Sequence, residues 1–197
     1  MEFDDVVRSR RMVRHYRIDP VPMAVLERIV DAGLSAPSAG NSQGVGFVIV
    51  TDPGIRRAIA DLADEAGHVS RGFDPWISPA PAHIVITVSE PAYRERYLES
   101  DKRGRGGIEE WPVPYWWVDA GAALMAVLLA AVNEGVAAGF LGAHSVPNLG
   151  PLLDIPDHHL PIGLVTVGYP LPDRRSRSLD RGRRPRATVV HRERWTD

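Results

Sequence analysis

The sequence predicts an α+β domain built as a three-layer α/β/α sandwich. Four short apolar segments have the composition of strands, and helical segments separate them at irregular intervals, which fits this class better than a doubly wound sheet. No G-x-G-x-x-G pattern follows the first strand, so the usual dinucleotide fingerprint is missing. The 197 residues, 44% of them hydrophobic, are typical of one globular domain with a core of its own.

The segment Trp117–Val136 is predicted to form the central helix. Thirteen consecutive residues between Asp119 and Asn133 carry neither a charge nor an amide side chain. A helix that is apolar on every side must be enclosed by protein or by lipid, and a lipid bilayer requires roughly 18 such residues. We therefore expect a buried core helix, fully enclosed by protein, and no membrane span.

The other elements follow from periodicity and turn residues. The predicted helices have apolar residues spaced three or four apart; they cover residues 2–11, Met23–Leu34, Ile55–Ala66, Tyr93–Leu98 and Leu149–Leu153. The predicted strands are short apolar runs; they are Gly46–Thr51, Ala82–Val88, Ala137–Ala143 and Ile162–Tyr169. Lys102–Gly107 is expected to be mobile, and the segment 36–43 is predicted to be a loop from its Gly, Pro, Ser and Asn residues.

Composition narrows the possible functions. The net charge of −2 gives no general attraction to nucleic acid or to an anionic membrane. The absence of Cys removes disulfides, a thiolate nucleophile and Cys-ligated metals, and the seven His residues show no metal-ligand spacing. No apolar run follows the basic residues at the N-terminus, so no signal peptide is expected and the predicted location is the cytoplasm.

Three polar groups could take part in binding. Arg10 and Arg14 could clamp an anion because each guanidinium is a permanent cation with a planar set of donors. The loop around Gly40 offers close backbone approach and amide side chains, and the Arg-rich segment 181–186 offers more cations. Each group alone is equally typical of a solvated surface. Because no acid–base or nucleophilic set is present, any chemistry is expected to come from a cofactor.

The order of five motifs resembles the FMN-dependent nitroreductase family. The motifs are R-R-M-V-R-H-Y from Arg10, A-P-S-A-G-N-S-Q from Ala36, D-A-G from Asp119 with L-L-A-A following, P-I-G-L-V-T-V-G-Y-P from Pro161, and R-R-P with V-V-H-R-E-R-W to Trp195. The resemblance spans almost the whole chain. It implies an intertwined homodimer, with FMN in each of two clefts at the interface.

The resemblance also assigns residues to the cofactor. Arg10, Arg11 and Arg14 match the motif that holds the flavin phosphate and pyrimidine edge, and Arg183 matches the C-terminal Arg that reaches the phosphate. Leu141 and Gly142 match the strand end whose amides face the reactive edge of the flavin. The loop that the partner subunit places against the flavin ring corresponds to Pro37, Ser38, Ala39 and Asn41. No side chain is expected to be a catalytic acid, base or nucleophile, and no metal is expected.

Two positions depart from the family pattern. Met12 stands where a small hydroxyl residue is usual, so one phosphate contact is expected to be missing. Gly44 and Val45 replace the usual Pro-Trp after Gln43.

The function implied by the resemblance is oxidation of NAD(P)H through FMN, with electrons passed to a small planar acceptor such as a nitroaromatic or a quinone. The same fold with flavin-fragmenting, dehalogenating or deazaflavin chemistry stays open, as does a non-catalytic flavin-binding protein. We expect a single domain over residues 1–197. Residues 89–117 are expected to be an insertion that covers the cleft, with aromatic side chains that stack on an acceptor or simply pack, and residues 171–197 are expected to be a C-terminal extension.

Overall fold

A computed structural model describes residues 1–102, 107–172 and 176–196. Within them the seven α-helices are α1 Phe3–Ser9, α2 Met23–Leu34, α3 Pro53–Leu62, α4 Glu65–Ser70, α5 Glu90–Leu98, α6 Tyr115–Asn133 and α7 Leu149–Leu152. The four strands are β1 Val45–Val50, β2 Ala82–Val88, β3 Ala137–Gly142 and β4 Leu160–Gly168. Residues 103–106 of the segment expected to be mobile lie outside the described residues.

The four strands form one antiparallel sheet in the order β1-β2-β4-β3. Val85 of β2 lies opposite Val48 of β1 on one side and Leu164 of β4 on the other. Every residue of β2 is buried, as expected for a central strand, whereas β1 and β3 are the edges. The short bridge between Met12 and Ala138 extends the sheet beyond β3 with a segment from the N-terminus.

Helices cover both faces of the sheet. On one face, Leu26 and Ile29 of α2 and Val127 of α6 pack against Ile84 and Ile86 of β2. On the other face, residues of α3 and α7 pack against the outward side of the same strand; they include Ile59, Ala60 and Leu149, in contact with Val85 and Leu164. Successive side chains of β2 point to opposite faces of the sheet, so the strand contributes to two separate cores. The predicted three-layer α/β/α sandwich is confirmed.

Two helix boundaries differ from the predictions. The helix expected over Ile55–Ala66 is wrong as a single element, because Asp64 adopts a left-handed backbone with φ 51° and separates α3 from α4. The helix predicted over residues 2–11 stops at Ser9, since Arg10 is extended and leads into the bridge with Ala138. In both places a tertiary arrangement overrides a continuous apolar period.

Helix α6 is only half enclosed by its own chain, so its full enclosure by protein needs a second surface and stays a prediction. Ala120, Ala123 and Val127 are buried in the core. On the opposite side Val118 and Met125 are 50% and 48% exposed, and Trp117 in the first turn is 43% exposed. By length and composition alone α6 could cross a membrane, but a core helix passes the same test. The exposed apolar face requires another surface to cover it.

The aromatic residues of the insertion pack mainly on each other. The ring of Trp111 lies 4.8 Å from that of Tyr97 and 5.1 Å from that of Tyr115, both edge-on. Trp116 contacts Trp111 and Tyr93 at 6.3 and 6.2 Å. Two roles were expected for these side chains, packing and stacking on an acceptor, and most of their surface is used in packing. The partly exposed Tyr115 and Trp117 are the ones that can still face a cleft.

Candidate functional site

The Arg-rich segment runs along the outer edge of the sheet. After α1 the chain is extended, and the Val13 amide donates to the carbonyl of Ala138 at 3.0 Å. Val13 is buried and anchors the segment, while Arg10 is half-buried and Arg11 and Arg14 are exposed. Alternation along an extended segment explains why anchoring and exposed side chains follow one another. The segment therefore displays its cations beside β3.

The strand end Leu141–Gly142 lies on the same edge. These residues are three and four positions beyond Ala138, a distance of roughly 10–13 Å along a strand. Both are half-buried. Arg14 lies with its guanidinium 5.2 Å from the centre of the Trp76 ring, a cation–π contact that fixes the tip of its side chain. The structure thus brings the Arg segment and the strand end together on one side of the molecule.

The loop Pro37–Asn41 lies on the opposite side of the sheet. It precedes β1, and β1 and β3 are the two outer strands of the order β1-β2-β4-β3. Three inter-strand spacings separate them, or about 14 Å. Within one chain this loop and the segment with Arg14 and Gly142 thus lie at opposite outer strands of the sheet. The residues assigned to the cofactor therefore fall into two separate groups.

The loop has an unusual backbone. Gly40, Asn41 and Gln43 all have positive φ, at 65°, 57° and 51°. Side chains inside the loop support this shape, because the Ser38 hydroxyl accepts the Gln43 amide at 2.9 Å and the Ser42 hydroxyl donates to the Ala39 carbonyl at 2.6 Å. The Ser38 hydroxyl is therefore occupied by a hydrogen bond inside the loop, whereas the Asn41 side chain is exposed.

A buried carboxylate that sequence reasoning did not assign holds the loop. Oδ2 of Asp119, in the second turn of α6, accepts the Ala39 amide and the Tyr93 hydroxyl, each at 2.8 Å. Burial and then the bond to Asp119 raise the pKa of Tyr93, which keeps the hydroxyl protonated as a donor. The available signal was the lone acid at the start of an otherwise apolar helix.

Helix α5 holds the same loop from the other side. Nε of Arg96 donates to the Gly40 carbonyl at 2.8 Å, and its remaining nitrogens bind Asp101 at 2.7 and 2.8 Å. The Tyr97 ring packs so closely on Gly40 that a Cβ there would lie 2.7 Å from it. The insertion therefore contacts the predicted cofactor loop directly.

A pocket of about 370 Å³ opens between this loop and α6. Its walls include Gly33, Pro37, Ser38, Asn41 and Asp119. The pocket is lined by backbone and small side chains rather than by an acid–base pair. Within the described ranges, no group of three His, Asp or Glu residues could hold a metal ion.

Arg183 lies in the extension, where the described residues from 178 to 190 are all exposed. The extension makes short 3₁₀ turns at Arg177–Arg181 and Arg186–Thr188. Its side chains, among them Leu179, Val189 and Trp195, leave apolar surface uncovered. The contact of Arg183 with a phosphate thus stays a prediction.

Comparisons with known proteins agree with this architecture. The sequence model of the Nitroreductase family matches residues 7–169. The chain is 30% identical to a protein named NADH dehydrogenase from Thermus thermophilus, over 82% of this chain and 83% of that one. It is 29% identical to a protein named FMN reductase [NAD(P)H] from Bacillus subtilis, over 96% and 74%.

Other relatives carry a different name, and solved structures share the fold. The chain is 26% identical to iodotyrosine deiodinase 1 of Rattus norvegicus, over 91% of this chain and 67% of that one. The hypothetical oxidoreductase YcnD from Bacillus subtilis superposes with a TM-score of 0.76 at 27% identity, covering 100% of this chain and 76% of that one. NfrA2 of B. megaterium superposes with a TM-score of 0.77 at 24% identity, with the same coverage.

Proposed function

This chain belongs to the nitroreductase family, and from that premise we propose that it is an FMN oxidoreductase that uses NAD(P)H as the reductant. Relatives named FMN reductase [NAD(P)H] and NAD(P)H nitroreductase support this activity. When bound, FMN supplies the two-electron carrier that the side chains of this protein do not provide. The acceptor we propose is a small planar electron-poor compound, such as a quinone or a nitroaromatic.

The observation that carries the cofactor proposal is the Arg segment beside the end of β3. Arg10, Arg11 and Arg14 provide permanent cations on the edge next to the end of β3, where we propose that backbone amides of Leu141 and Gly142 face the flavin. Guanidinium groups suit a phosphate, and amide donors stabilise developing negative charge without competing acid–base chemistry. The chemistry of this donor set fits FMN. Arg183 would add a further cation from the extension.

We propose that the complete site forms between two copies of the chain. The loop Pro37–Asn41 and the Arg segment lie on opposite sheet edges, so the loop of a second copy is needed to close each cleft. The exposed apolar face of α6, with Trp117, Val118 and Met125, supplies a surface for that contact. The apolar residues of the extension supply more. A homodimer therefore buries both surfaces and completes both sites.

We propose that residues 1–197 act as one domain, with residues 89–117 as an insertion at the cleft and 171–197 as an extension onto the partner. The described residues of the insertion contact the loop through Tyr93 and Arg96. This places the insertion where it can limit the size of an acceptor. The proposed location is the cytoplasm.

A dehalogenating enzyme is the second candidate, favoured by the relatives named iodotyrosine deiodinase at 26–28% identity. The two candidates share the cofactor and differ in the acceptor. Reduction of a halogenated tyrosine releases halide, whereas reduction of a quinone does not. Assaying both acceptors with one preparation therefore separates them.

The cofactor proposal is tested by the visible spectrum of the purified protein. We expect a yellow preparation, or uptake of added FMN with quenching of its fluorescence, and bleaching by NADH or NADPH under argon. Reoxidation by a quinone distinguishes catalysis from storage, and the band positions distinguish flavin from deazaflavin. A colourless protein that leaves the fluorescence of FMN unchanged on titration contradicts the proposal.

The assembly is tested by sedimentation at several protein concentrations. We expect a dimer whose dissociation is accompanied by unfolding, because the apolar faces of α6 and the extension are exposed in a single chain. Met125→Glu places a charge on the exposed face of α6 and is expected to disrupt assembly and FMN binding together. A monomer that retains tight FMN binding contradicts the shared site.

A further inference from the structure

The loop Pro37–Asn41 cannot hold its shape by local preference alone. Asn41 and, just after the loop, Gln43 both lie in the left-handed region; Asn tolerates it, but for Gln43 it costs about 1–2 kcal/mol. The two hydroxyl bonds of Ser38 and Ser42 are internal to the loop. Contacts from outside the loop must therefore set where it lies relative to the rest of the protein.

Asp119 provides the best-buried of these outside contacts. Its side chain belongs to a residue that is 9% exposed, and one oxygen accepts both the loop amide of Ala39 and the hydroxyl of Tyr93. The carboxylate stands in the second turn of α6. A charged acceptor makes a stronger bond to a backbone N–H than a neutral one.

Tyr93 fixes the direction of that carboxylate. It is fully buried, and it stands on α5, which also supplies Arg96 to the next carbonyl of the loop. Helices α5 and α6 thus hold two successive residues of the loop, Ala39 through its N–H and Gly40 through its C=O. The two contacts lie on the peptide groups either side of the Ala39–Gly40 peptide, and together they define both the position and the orientation of the loop.

We propose that Asp119 is a positioning residue for the cofactor loop, oriented by Tyr93, and that it sets FMN affinity without touching the flavin. The inference rests on the proposed function, because it assumes that the loop of one chain lies against the flavin bound by the other. Asp119 also borders the 370 Å³ pocket, so a loosened loop changes the wall of that pocket.

The experiment compares Asp119→Asn and Tyr93→Phe with Glu65→Gln as a matched control. Glu65 is another buried carboxylate that accepts backbone amides, but those amides belong to Trp76, Ile77 and Ser78, outside the loop. Hydrogen exchange of the peptide covering Pro37–Gln43 is measured in the protein without FMN. The dissociation constant of FMN and the visible bands of the bound flavin are measured on the same variants.

We expect Asp119→Asn to accelerate exchange in that peptide about tenfold and to raise the FMN dissociation constant by a similar factor, since a charged acceptor becomes neutral. Tyr93→Phe should have an effect of about threefold, because the carboxylate stays but loses its orienting donor. Both variants should shift the flavin bands. Glu65→Gln should lower stability yet leave the loop exchange, the affinity and the bands unchanged.

Three results would overturn the inference while leaving the proposed function intact: unchanged FMN affinity in both variants, unchanged loop exchange, or equal losses in Glu65→Gln. If Asp119→Asn does not fold, the FMN affinity and the loop exchange of Tyr93→Phe still test the inference. Failure of the wild-type protein to bind FMN overturns the proposed function. In that case the exchange measurement, made without FMN, still reports whether Asp119 holds the loop.

Discussion

Two buried carboxylates, Glu65 and Asp119, both accept backbone N–H groups of a loop, but the two loops differ in role. Glu65 is 8% exposed and Asp119 is 9% exposed, and each accepts backbone amides from a loop. Glu65 receives three successive amides from Trp76, Ile77 and Ser78. Asp119 receives a single loop amide, with the Tyr93 hydroxyl as its second donor.

The surroundings of the Glu65 loop make it rigid. Arg56 donates to the carbonyls of Ser78 at 3.2 Å and Ala80 at 2.5 Å, and His83 bonds to the carbonyl of Ile77 at 2.8 Å. Burial raises the pKa of Glu65, but the Ser78 hydroxyl and the three backbone amides lower it more, so the group stays ionised. Both the donors and the acceptors of this loop are therefore satisfied inside the core.

The Asp119 loop is held at only two adjacent residues and borders a pocket. The number of backbone groups that hold each loop thus distinguishes a carboxylate with a structural role from one that positions a binding loop. The first should govern the stability of the whole fold, and the second the affinity of the site. The predictions below separate these two properties.

The largest effect is expected for Glu65→Gln. Oε1 of Glu65 accepts all three amides and Oε2 accepts only that of Ser78, so Gln can keep the Oε1 bonds but loses the negative charge, and its NH2 group stands where the Ser78 N–H finds an acceptor. Such losses cost about 2–4 kcal/mol in the free energy of unfolding. Urea denaturation followed by circular dichroism measures the change. An unchanged urea midpoint would show that the core tolerates the substitution. It would also contradict the assignment of a structural role to Glu65.

The direct phosphate contacts should outweigh any indirect effect on FMN. Arg14→Ala or Arg183→Ala is expected to weaken FMN binding by about ten- to a hundredfold, or ~1.5–3 kcal/mol, since each removes a charge-assisted hydrogen bond. The loss for riboflavin should be smaller, because it has no phosphate. Fluorescence titration with both ligands measures this, and it sets the scale for the smaller effect of Asp119→Asn.

Arg192→Ala is the control for general charge, as it lies exposed in the same extension at a position to which the resemblance assigns no role. Arg174 and Arg175 stand outside the five matched motifs and lie outside the described residues. Their substitution is still expected to change little. Equal losses in all of these variants, or equal losses for FMN and riboflavin, would mean that the extension acts only through diffuse charge.

Acidification should loosen the Glu65 loop through His83 before it affects Glu65. Burial, with a further contribution from the charge of Arg56, lowers the pKa of His83 to about 4 from an ordinary 6.5. Between these values the unfolded chain binds more protons, so stability is full above about pH 6.5 and falls as the pH drops. The loss between pH 7 and pH 5 should be about 2 kcal/mol.

Urea denaturation across this pH range, with His83→Gln for comparison, measures that loss. Gln can donate to the Ile77 carbonyl and does not titrate, so the pH dependence of its stability should be flatter. Below about pH 4 both proteins should lose further stability, because Glu65 has a lowered pKa in the folded state and must then be protonated. Identical pH profiles for the wild-type protein and His83→Gln would show that His83 does not cause the loss of stability.

The smallest effect is expected for Arg96→Leu, which removes the second outside contact of the cofactor loop. The bond to the Gly40 carbonyl is partly exposed, so its loss should accelerate exchange in Pro37–Gln43 only about threefold, or ~0.7 kcal/mol. Arg94→Leu is the matched control, since Arg94 stands on the same helix and pairs with Glu90 and Glu109 instead. Equal effects of the two variants would mean that α5 acts through its overall stability.

Much of the fold was predictable from local pattern. The strands are apolar runs whose period and flanking turns specify them, and α6 is an apolar run bounded by Asp119 and Asn133. The Arg segment and the loop were predicted as separate polar groups. Their assignment to a flavin came from the order of motifs along the chain, because no single segment has chemistry specific enough to identify a cofactor.

The break between α3 and α4 at Asp64, the exposed side of α6, and the bonds from Asp119 to Ala39 and Tyr93 were decided only by tertiary structure. The bond between Ala39 and Asp119 joins residues 80 positions apart in the chain. Sequence period reports which side of an element is apolar, and so determined the layers. It does not report which buried polar group finds which backbone donor, since that choice is made by geometry after the layers have packed.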